Sequence, residues 1–91
     1  MSPEVSKYKV IIPDKVRKQV SKLPREYQRA VYLTLKSLEE NPYQGKKLED
    51  QLEDEYSLRV GVYRILYQIF KKQLVVLVVS VAHRKDVYRR R

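Results

Sequence analysis

Apolar residues recur along this chain at two different spacings, and each spacing predicts one type of element. Residues 8–12 are rich in β-branched side chains and end at a Pro-Asp pair, so they predict a β-strand. Over residues 14–22 the apolar positions follow the i, i+4, i+7 spacing of one helix face, and Asp14 is expected to cap the helix N-terminus. The members of this apolar face are Val16, Val20 and Leu23.

A second helical pattern covers residues 25–40. Pro24 precedes it, and its fixed φ suits the start of a helix. The pair Asn41-Pro42 ends the pattern, because the residue before a proline is pushed out of the α region. A single apolar stripe runs along this segment and consists of Tyr27, Ala30, Val31, Thr34, Leu35 and Leu38. The two patterns together predict a helical hairpin.

Three strand patterns follow residues 42–51, which are interpreted as a loop. Residues 56–60 and 63–69 alternate with period two, and Gly61 supplies the turn between them. Residues 74–81 are apolar on both faces, as expected for an interior strand. The order β-α-α-β-β-β predicts one α+β domain over residues 1–91, with the N-terminal strand and the helical hairpin packed on a mainly antiparallel sheet. The other sheet face is then left for a partner or substrate.

The composition excludes several classes of function. The absence of Cys excludes disulfides, thiolate catalysis and Cys-based zinc sites, and with a single His we expect neither a metal nor a cofactor. The first seven residues lack the apolar core of a signal peptide, and the apolar run over residues 74–79 is too short to span a bilayer. We therefore expect a soluble, cytoplasmic protein without a membrane partner.

The charge of the chain points to a polyanionic partner. The net charge is +9, and five of the eleven acidic residues fall within residues 49–55, so the rest of the chain is more basic still. Such a field attracts phosphate backbones and favours the release of their counterions. The positive charge alone is equally compatible with a purely solubilising role. A functional assignment therefore requires side chains that could act on a phosphate.

The last third of the chain carries the candidate chemistry. Arg59, Arg64 and Arg84 could converge on one phosphate, because guanidinium groups bind phosphate oxygens bidentately and stay charged. His83 could transfer a proton near neutral pH, and Tyr88 could stack on a base. The structural alternatives are solvated surface arginines, an ordinary histidine at a strand end and a tyrosine that packs the C-terminal turn.

Three segments of this region resemble the signature of the RelE/ParE superfamily of toxins from bacterial and archaeal type II toxin–antitoxin systems. They are RVG at 59–61, YRILY at 63–67 and VAHRKDVY at 81–88, and the resemblance extends over nearly the whole chain. In the RelE branch it implies a metal-independent endoribonuclease that enters the ribosomal A site and cuts mRNA. The ribose 2′-hydroxyl is then the nucleophile, and a 2′,3′-cyclic phosphate is left. In the ParE branch the same fold inhibits DNA gyrase without cutting RNA.

The resemblance also implies roles for single residues. Arg64 and Arg84 match phosphate-binding arginines, and Tyr88 matches a catalytic tyrosine. Ser57 and Arg59 stand where RelE has two lysines, so the general base is not assigned by the resemblance, and His83 is the candidate proton carrier. The remaining residues expected to bind RNA are Arg59, Lys46, Lys47 and Lys85, of which Lys46 and Lys47 are the next candidates for proton transfer.

We therefore expect a ribosome-dependent mRNA endoribonuclease that inhibits translation. Its expected partners are the ribosome, mRNA and a cognate antitoxin, and it would meet DNA only through the antitoxin complex. The alternatives are a ParE-like gyrase inhibitor that acts by binding and a catalytically weakened regulator that binds an antitoxin. The sequence leaves open the general base, the codon preference, the identity of the antitoxin and the oligomeric state.

Overall fold

The computed structural model describes residues 7–49 and 54–85, and within them five strands form one sheet with two α-helices on one side. In chain order the elements are β1 (Lys9–Ile11), α1 (Asp14–Ser21), α2 (Arg25–Ser37), a 3-10 turn (Pro42–Gln44), β2 (Lys46–Lys47), β3 (Glu55–Val60), β4 (Tyr63–Phe70) and β5 (Val75–His83). The sheet order is β1-β5-β4-β3-β2. β1 is parallel to β5, and every other pair is antiparallel. This arrangement confirms the predicted α+β class.

The two helices pack their apolar faces on the sheet as the spacing predicted. Val16 and Val20 are fully buried on α1, and Val31 and Leu35 are buried on α2. Their partners on the sheet include Ile65, Tyr67, Ile69, Val76, Val78 and Val81. The core therefore lies between the helical hairpin and one sheet face. In the part of the chain that the structure describes, no helix is long and apolar enough to cross a membrane.

The N-terminus of α1 differs from the prediction. Pro13 occupies the N-cap position with φ −64° and ψ 160°, and no side chain caps the helix. Asp14 is instead the first helical residue, so the expectation that it caps the helix is wrong. The fixed φ of proline already gives the extended geometry required before a helix, and the Asp14 carboxylate lies in the first turn, where the helix dipole favours negative charge.

The segment interpreted as a loop contains a short strand at the sheet edge. Residues of β2 pair with β3, with Lys46 opposite Ser57 and Lys47 opposite Tyr56. Gly45 precedes them in close contact with the sheet, since a Cβ atom there would lie 2.7 Å from the Ser57 carbonyl oxygen. A two-residue strand gives no periodicity that a sequence pattern could reveal, so its existence depends on tertiary contacts.

Candidate functional site

Several rows of residues cross the strands on the sheet face opposite the helices, and two neighbouring rows contain Arg64 and its hydrogen-bond partner Ser57. We call these two rows the arginine face. The first row runs from β2 to β5 and consists of Lys46, Ser57, Leu66 and Ser80. The second row runs from β3 to β5 and consists of Arg59, Arg64 and Ala82. Paired residues share one face of a sheet, so the side chains of one row lie side by side although up to 34 positions separate them in the chain.

Arg64 lies on β4, the middle strand of the sheet, and it is half-buried. Its Nη1 donates a hydrogen bond of 3.1 Å to Oγ of Ser57, which is only 6% exposed. Ser57 is the register partner of Leu66 rather than of Arg64, so the guanidinium group leans along the sheet from its own row into the next one. The hydroxyl of Ser57 therefore holds the Nη1 end of the guanidinium group.

Arg59 is the direct cross-strand partner of Arg64. Like charges in this relationship repel each other and destabilise a sheet, so the pair favours an anion that both guanidinium groups can bind. Arg59 is exposed and Arg64 is half-buried. One guanidinium group is thus held against the sheet while the other can reach a ligand from the solvent side.

The two neighbouring lysines of β2 lie on opposite sides of the sheet. Lys46 pairs with Ser57 and belongs to the arginine face. Lys47 pairs with Tyr56 on the helix side, and its Nζ lies 3.3 Å from Oδ1 of Asp54. Successive strand residues point to opposite faces, which accounts for this separation. The structure therefore brings only Lys46 of this pair together with the arginines.

A β-bulge decides which C-terminal residues face Arg64. The pairing of β4 with β5 shifts between Leu66 and Tyr67, because these residues pair with Ser80 and Val78 and leave Val79 without a paired residue on β4. The extra residue reverses the alternation beyond it. Ala82 consequently joins the row of Arg64, whereas His83 pairs with Tyr63 on the helix side.

His83 is held by aromatic packing on that side. Its ring lies 5.9 Å from the ring of Tyr63 in an edge arrangement, and Tyr63 in turn contacts Tyr27 of α2 with a centroid separation of 5.0 Å. The Nδ1 atom of His83 accepts a hydrogen bond of 3.3 Å from the backbone N–H of Lys85. The structure thus does not bring His83 together with Arg64, and its role as a proton carrier stays a prediction.

Arg84 and Lys85 follow the end of β5, and both are exposed. The backbone N–H of Arg84 donates a hydrogen bond of 2.9 Å to the carbonyl of Val62, in the turn between β3 and β4. Arg84 therefore lies at the same end of the sheet as the row of Arg59 and Arg64. Tyr88, the remaining predicted catalytic residue, lies outside the described residues.

A buried tyrosine fixes the segment that carries Lys46. The side chain of Tyr67 is fully buried, and its hydroxyl donates a hydrogen bond of 2.7 Å to the Pro42 carbonyl. The same hydroxyl accepts one of 3.0 Å from the N–H of Gly45. Burial raises the pKa of Tyr67, and the hydrogen bond from Gly45 partly offsets this increase. We call this set of contacts the Tyr67 clamp. Its partners lie more than 20 positions away, so no local sequence pattern indicates what the tyrosine holds.

The cations of this face come from side chains on neighbouring strands. Lys46, Arg59 and Arg64 supply cations from three adjacent strands, with Ser57 between Lys46 and Arg64. Among residues 7–49 and 54–85, no group of three or more His, Cys, Asp or Glu side chains could hold a metal ion. The fold and the site define a small α+β protein with a cationic sheet face opposite its helical layer.

Comparisons with known proteins identify the family. The family model described as ParE toxin of type II toxin–antitoxin system, parDE, matches residues 10–88. Toxin RelG of Mycobacterium tuberculosis (strain ATCC 25618 / H37Rv) is 35% identical over 85 residues, which cover 91% of this chain and 98% of RelG. The chain belongs to the RelE/ParE superfamily of type II toxin–antitoxin toxins.

Solved structures agree with this assignment. A chain of the toxin–antitoxin complex RelBE2 from Mycobacterium tuberculosis superposes with a TM-score of 0.75 at 32% identity, over 85% of this chain and 98% of that chain. A chain of the archaeal RelE–RelB complex from Pyrococcus horikoshii OT3 gives a TM-score of 0.78 at 28% identity, over 86% and 96%. The recognition of the family and of its fold from the sequence is therefore confirmed.

Proposed function

We propose that this toxin is a ribosome-dependent mRNA endoribonuclease that inhibits translation. The observation that carries the proposal is the placement of Arg64, which Ser57 orients at 3.1 Å and which lies directly across from Arg59 on the face opposite the helices. The similarity to RelG and to RelE-type structures supports the RelE branch. Two guanidinium groups in this arrangement are suited to bind the oxygens of one phosphodiester.

The chemistry requires little more than positioned charge. Attack of the ribose 2′-oxygen forms the O2′–P bond and breaks the P–O5′ bond. The 2′-hydroxyl loses one proton in this step and the leaving 5′-oxygen gains one, so the number of protons is unchanged. Negative charge accumulates on the phosphoryl oxygens during this step. Arginines remain protonated throughout, and one preorganised donor at such a charge is worth about 10²–10³ in rate. The ribosome would supply the alignment of the mRNA.

The proposed partners follow from this role. The RelBE2 and RelE–RelB structures are toxin–antitoxin complexes, and we propose that a cognate antitoxin likewise neutralises this chain by covering the arginine face. Contact with DNA would then occur only through the antitoxin complex. Because ribosomes are its target, the toxin would act in the cytoplasm. Arg84 is proposed as a further phosphate contact and Tyr88 as a catalytic residue.

A reconstituted translation system tests the proposal. Wild-type toxin should cut mRNA with codon phasing, and Arg64→Ala should lower the rate by about 10²–10³ without a large change in melting temperature. Arg29→Ala is the matched control, since Arg29 is an exposed arginine on α2. An Arg64→Ala variant that melts normally and cuts at the wild-type rate would remove the basis of the assignment.

Inhibition of DNA gyrase is the second candidate, and the match to the ParE family model favours it. In that case the cations of the arginine face would bind a protein surface rather than a scissile phosphate. Expression without an antitoxin, followed by mapping of mRNA ends and DNA breaks, separates the two functions. DNA damage with intact mRNA would support the ParE-like function and refute the nuclease.

A further inference from the structure

We infer that Lys46 is a third phosphate-contacting cation of the site, supplied by the edge strand β2. The inference rests on the proposed function, because it assigns Lys46 to the same phosphate that Arg64 is proposed to bind. It assigns no equivalent role to Lys47, although the two lysines are adjacent and both are exposed. The distinction comes from the geometry of the sheet.

Ser57 is the neighbour that Lys46 and Arg64 share. Lys46 lies directly across from it on β2, and the guanidinium of Arg64 reaches it from β4 on the other side. Cross-strand partners have Cβ atoms about 4.5–5.5 Å apart, which is well within the reach of a lysine side chain. A phosphate above Ser57 would therefore contact the ammonium from one side and the guanidinium from the other.

The backbone of Lys46 is held on both sides along the chain. The Tyr67 clamp fixes Gly45 immediately before it. After β2 the N–H of Leu48 donates a hydrogen bond of 2.8 Å to the Glu55 carbonyl. A Cβ atom at Gly45 would lie 2.7 Å from the Tyr67 hydroxyl, so the close approach requires glycine. These contacts give a two-residue strand a defined register, which positions the stem of Lys46.

Lys47 differs from Lys46 in both face and partner. Its Nζ is ion-paired with Asp54 at 3.3 Å, and its register partner is Tyr56 on the helix side. Within residues 7–49 and 54–85, the ion pairs are those of Lys47 and Lys7; Glu55 lies on the same face as Lys46, one row away, but forms no ion pair with it. The role of Lys46 is electrostatic: its ammonium would neutralise a non-bridging phosphoryl oxygen, and no proton transfer is needed.

Two measurements on Lys46→Gln, Lys47→Gln and Lys46→Arg test the inference. The first is binding of a single-stranded RNA oligonucleotide with 2′-O-methyl groups, which cannot be cut, as a function of salt. Lys46→Gln should weaken binding and reduce the slope of log K against log[salt] by about 0.7, the value for one phosphate contact on a single strand. The second is mRNA cleavage on ribosomes, which Lys46→Gln should slow by about 10²-fold. Lys47→Gln should match the wild type in both, and Lys46→Arg should keep most of both because it keeps the charge.

The outcomes separate this inference from the proposed function. Equal behaviour of Lys46→Gln and Lys47→Gln in both measurements would overturn the role of Lys46, even if the wild type cuts mRNA. A loss in Lys46→Arg as large as that in Lys46→Gln would also overturn it, since the effect would not follow charge. Weaker oligonucleotide binding by Lys46→Gln alone, with no cleavage by the wild type, would support the phosphate contact and refute the nuclease.

Discussion

Removing the hydroxyl of Tyr67 tests whether the clamp stabilises the sheet edge. Tyr67→Phe keeps the ring and its stacking on Tyr56, whose ring centroid lies 5.7 Å away. It removes two hydrogen bonds, one to the buried Pro42 and one from the half-buried Gly45. The change therefore isolates the polar part of the clamp.

The expected loss follows from what the two partners become. The Pro42 carbonyl is left without a partner in a buried position, which costs about 1–3 kcal/mol, whereas water can reach the half-buried Gly45 N–H and limit its cost to about 1 kcal/mol. We expect the free energy of unfolding to fall by about 2–4 kcal/mol. For a domain of this size, each kcal/mol corresponds to a shift in melting temperature of about 4–8 °C.

Urea and thermal unfolding at neutral pH measure the change, and amide hydrogen exchange locates it. Exchange should accelerate most at Gly45 and in β2, because the clamp holds this segment. Tyr56→Phe is the matched control, since the described residues give the Tyr56 hydroxyl no hydrogen bond. The reasoning fails if Tyr67→Phe destabilises the protein no more than Tyr56→Phe does, or if exchange in β2 is unchanged.

Four further outcomes are expected. Because burial raises the pKa of Tyr67, its contribution to stability is fully present below 10.0, the ordinary tyrosine value, and is lost as the pH rises through the higher folded-state value. At alkaline pH, the free energy of unfolding should therefore decrease more steeply with rising pH for the wild type than for Tyr67→Phe. Ser57→Ala should lower the rate of mRNA cleavage by about tenfold, because it removes the hydrogen bond to Arg64. Ser57→Thr keeps a hydroxyl and should cut at close to the wild-type rate. Equal rates in the two variants would refute a positioning role for the hydroxyl. Gly61→Ala should destabilise the fold by at least about 1 kcal/mol in thermal melting, because Gly61 has φ +62° and a methyl group there would lie 2.6 Å from a tyrosine ring of α2. If His83 transfers a proton, His83→Gln should lower mRNA cleavage by about 10²-fold with unchanged ribosome binding, and cleavage at close to the wild-type rate would refute that role.

Elements with a clear period could be predicted from the sequence. The apolar face of α1, the buried positions of α2 and the antiparallel meander all follow from spacings that local geometry dictates. The interior position of β5 follows from its apolar character on both faces, and the structure places it between β1 and β4. Periodicity was sufficient to predict these elements because the spacing of apolar residues along one helix or strand determines which of its positions are buried.

Features that depend on contacts between distant segments could not be predicted in the same way. The parallel pairing of β1 with β5 joins residues more than 60 positions apart, and β2 owes its register to the hydroxyl of Tyr67. The face of the sheet on which His83 lies could not be predicted from the alternation of residues along β5. The bulge at Val79 reverses that alternation, and the segment is apolar on both faces, so its sequence does not reveal the reversal.

The bulge and the clamp link the stability of the helix side to the chemistry of the arginine face. A regular β5 would direct His83 toward the row of Arg64, and the bulge instead directs it toward Tyr63. In the same way, Tyr67 is buried in the core on the helix side, yet its hydroxyl determines where β2 runs. Under the proposed function, residues on the helix side would therefore determine which side chains can reach a phosphate on the arginine face. A change in activity alone cannot identify a catalytic residue in this fold, and for this reason each substitution on the arginine face needs a partner substitution, such as Lys47→Gln for Lys46→Gln, that tests the same strand from its other side.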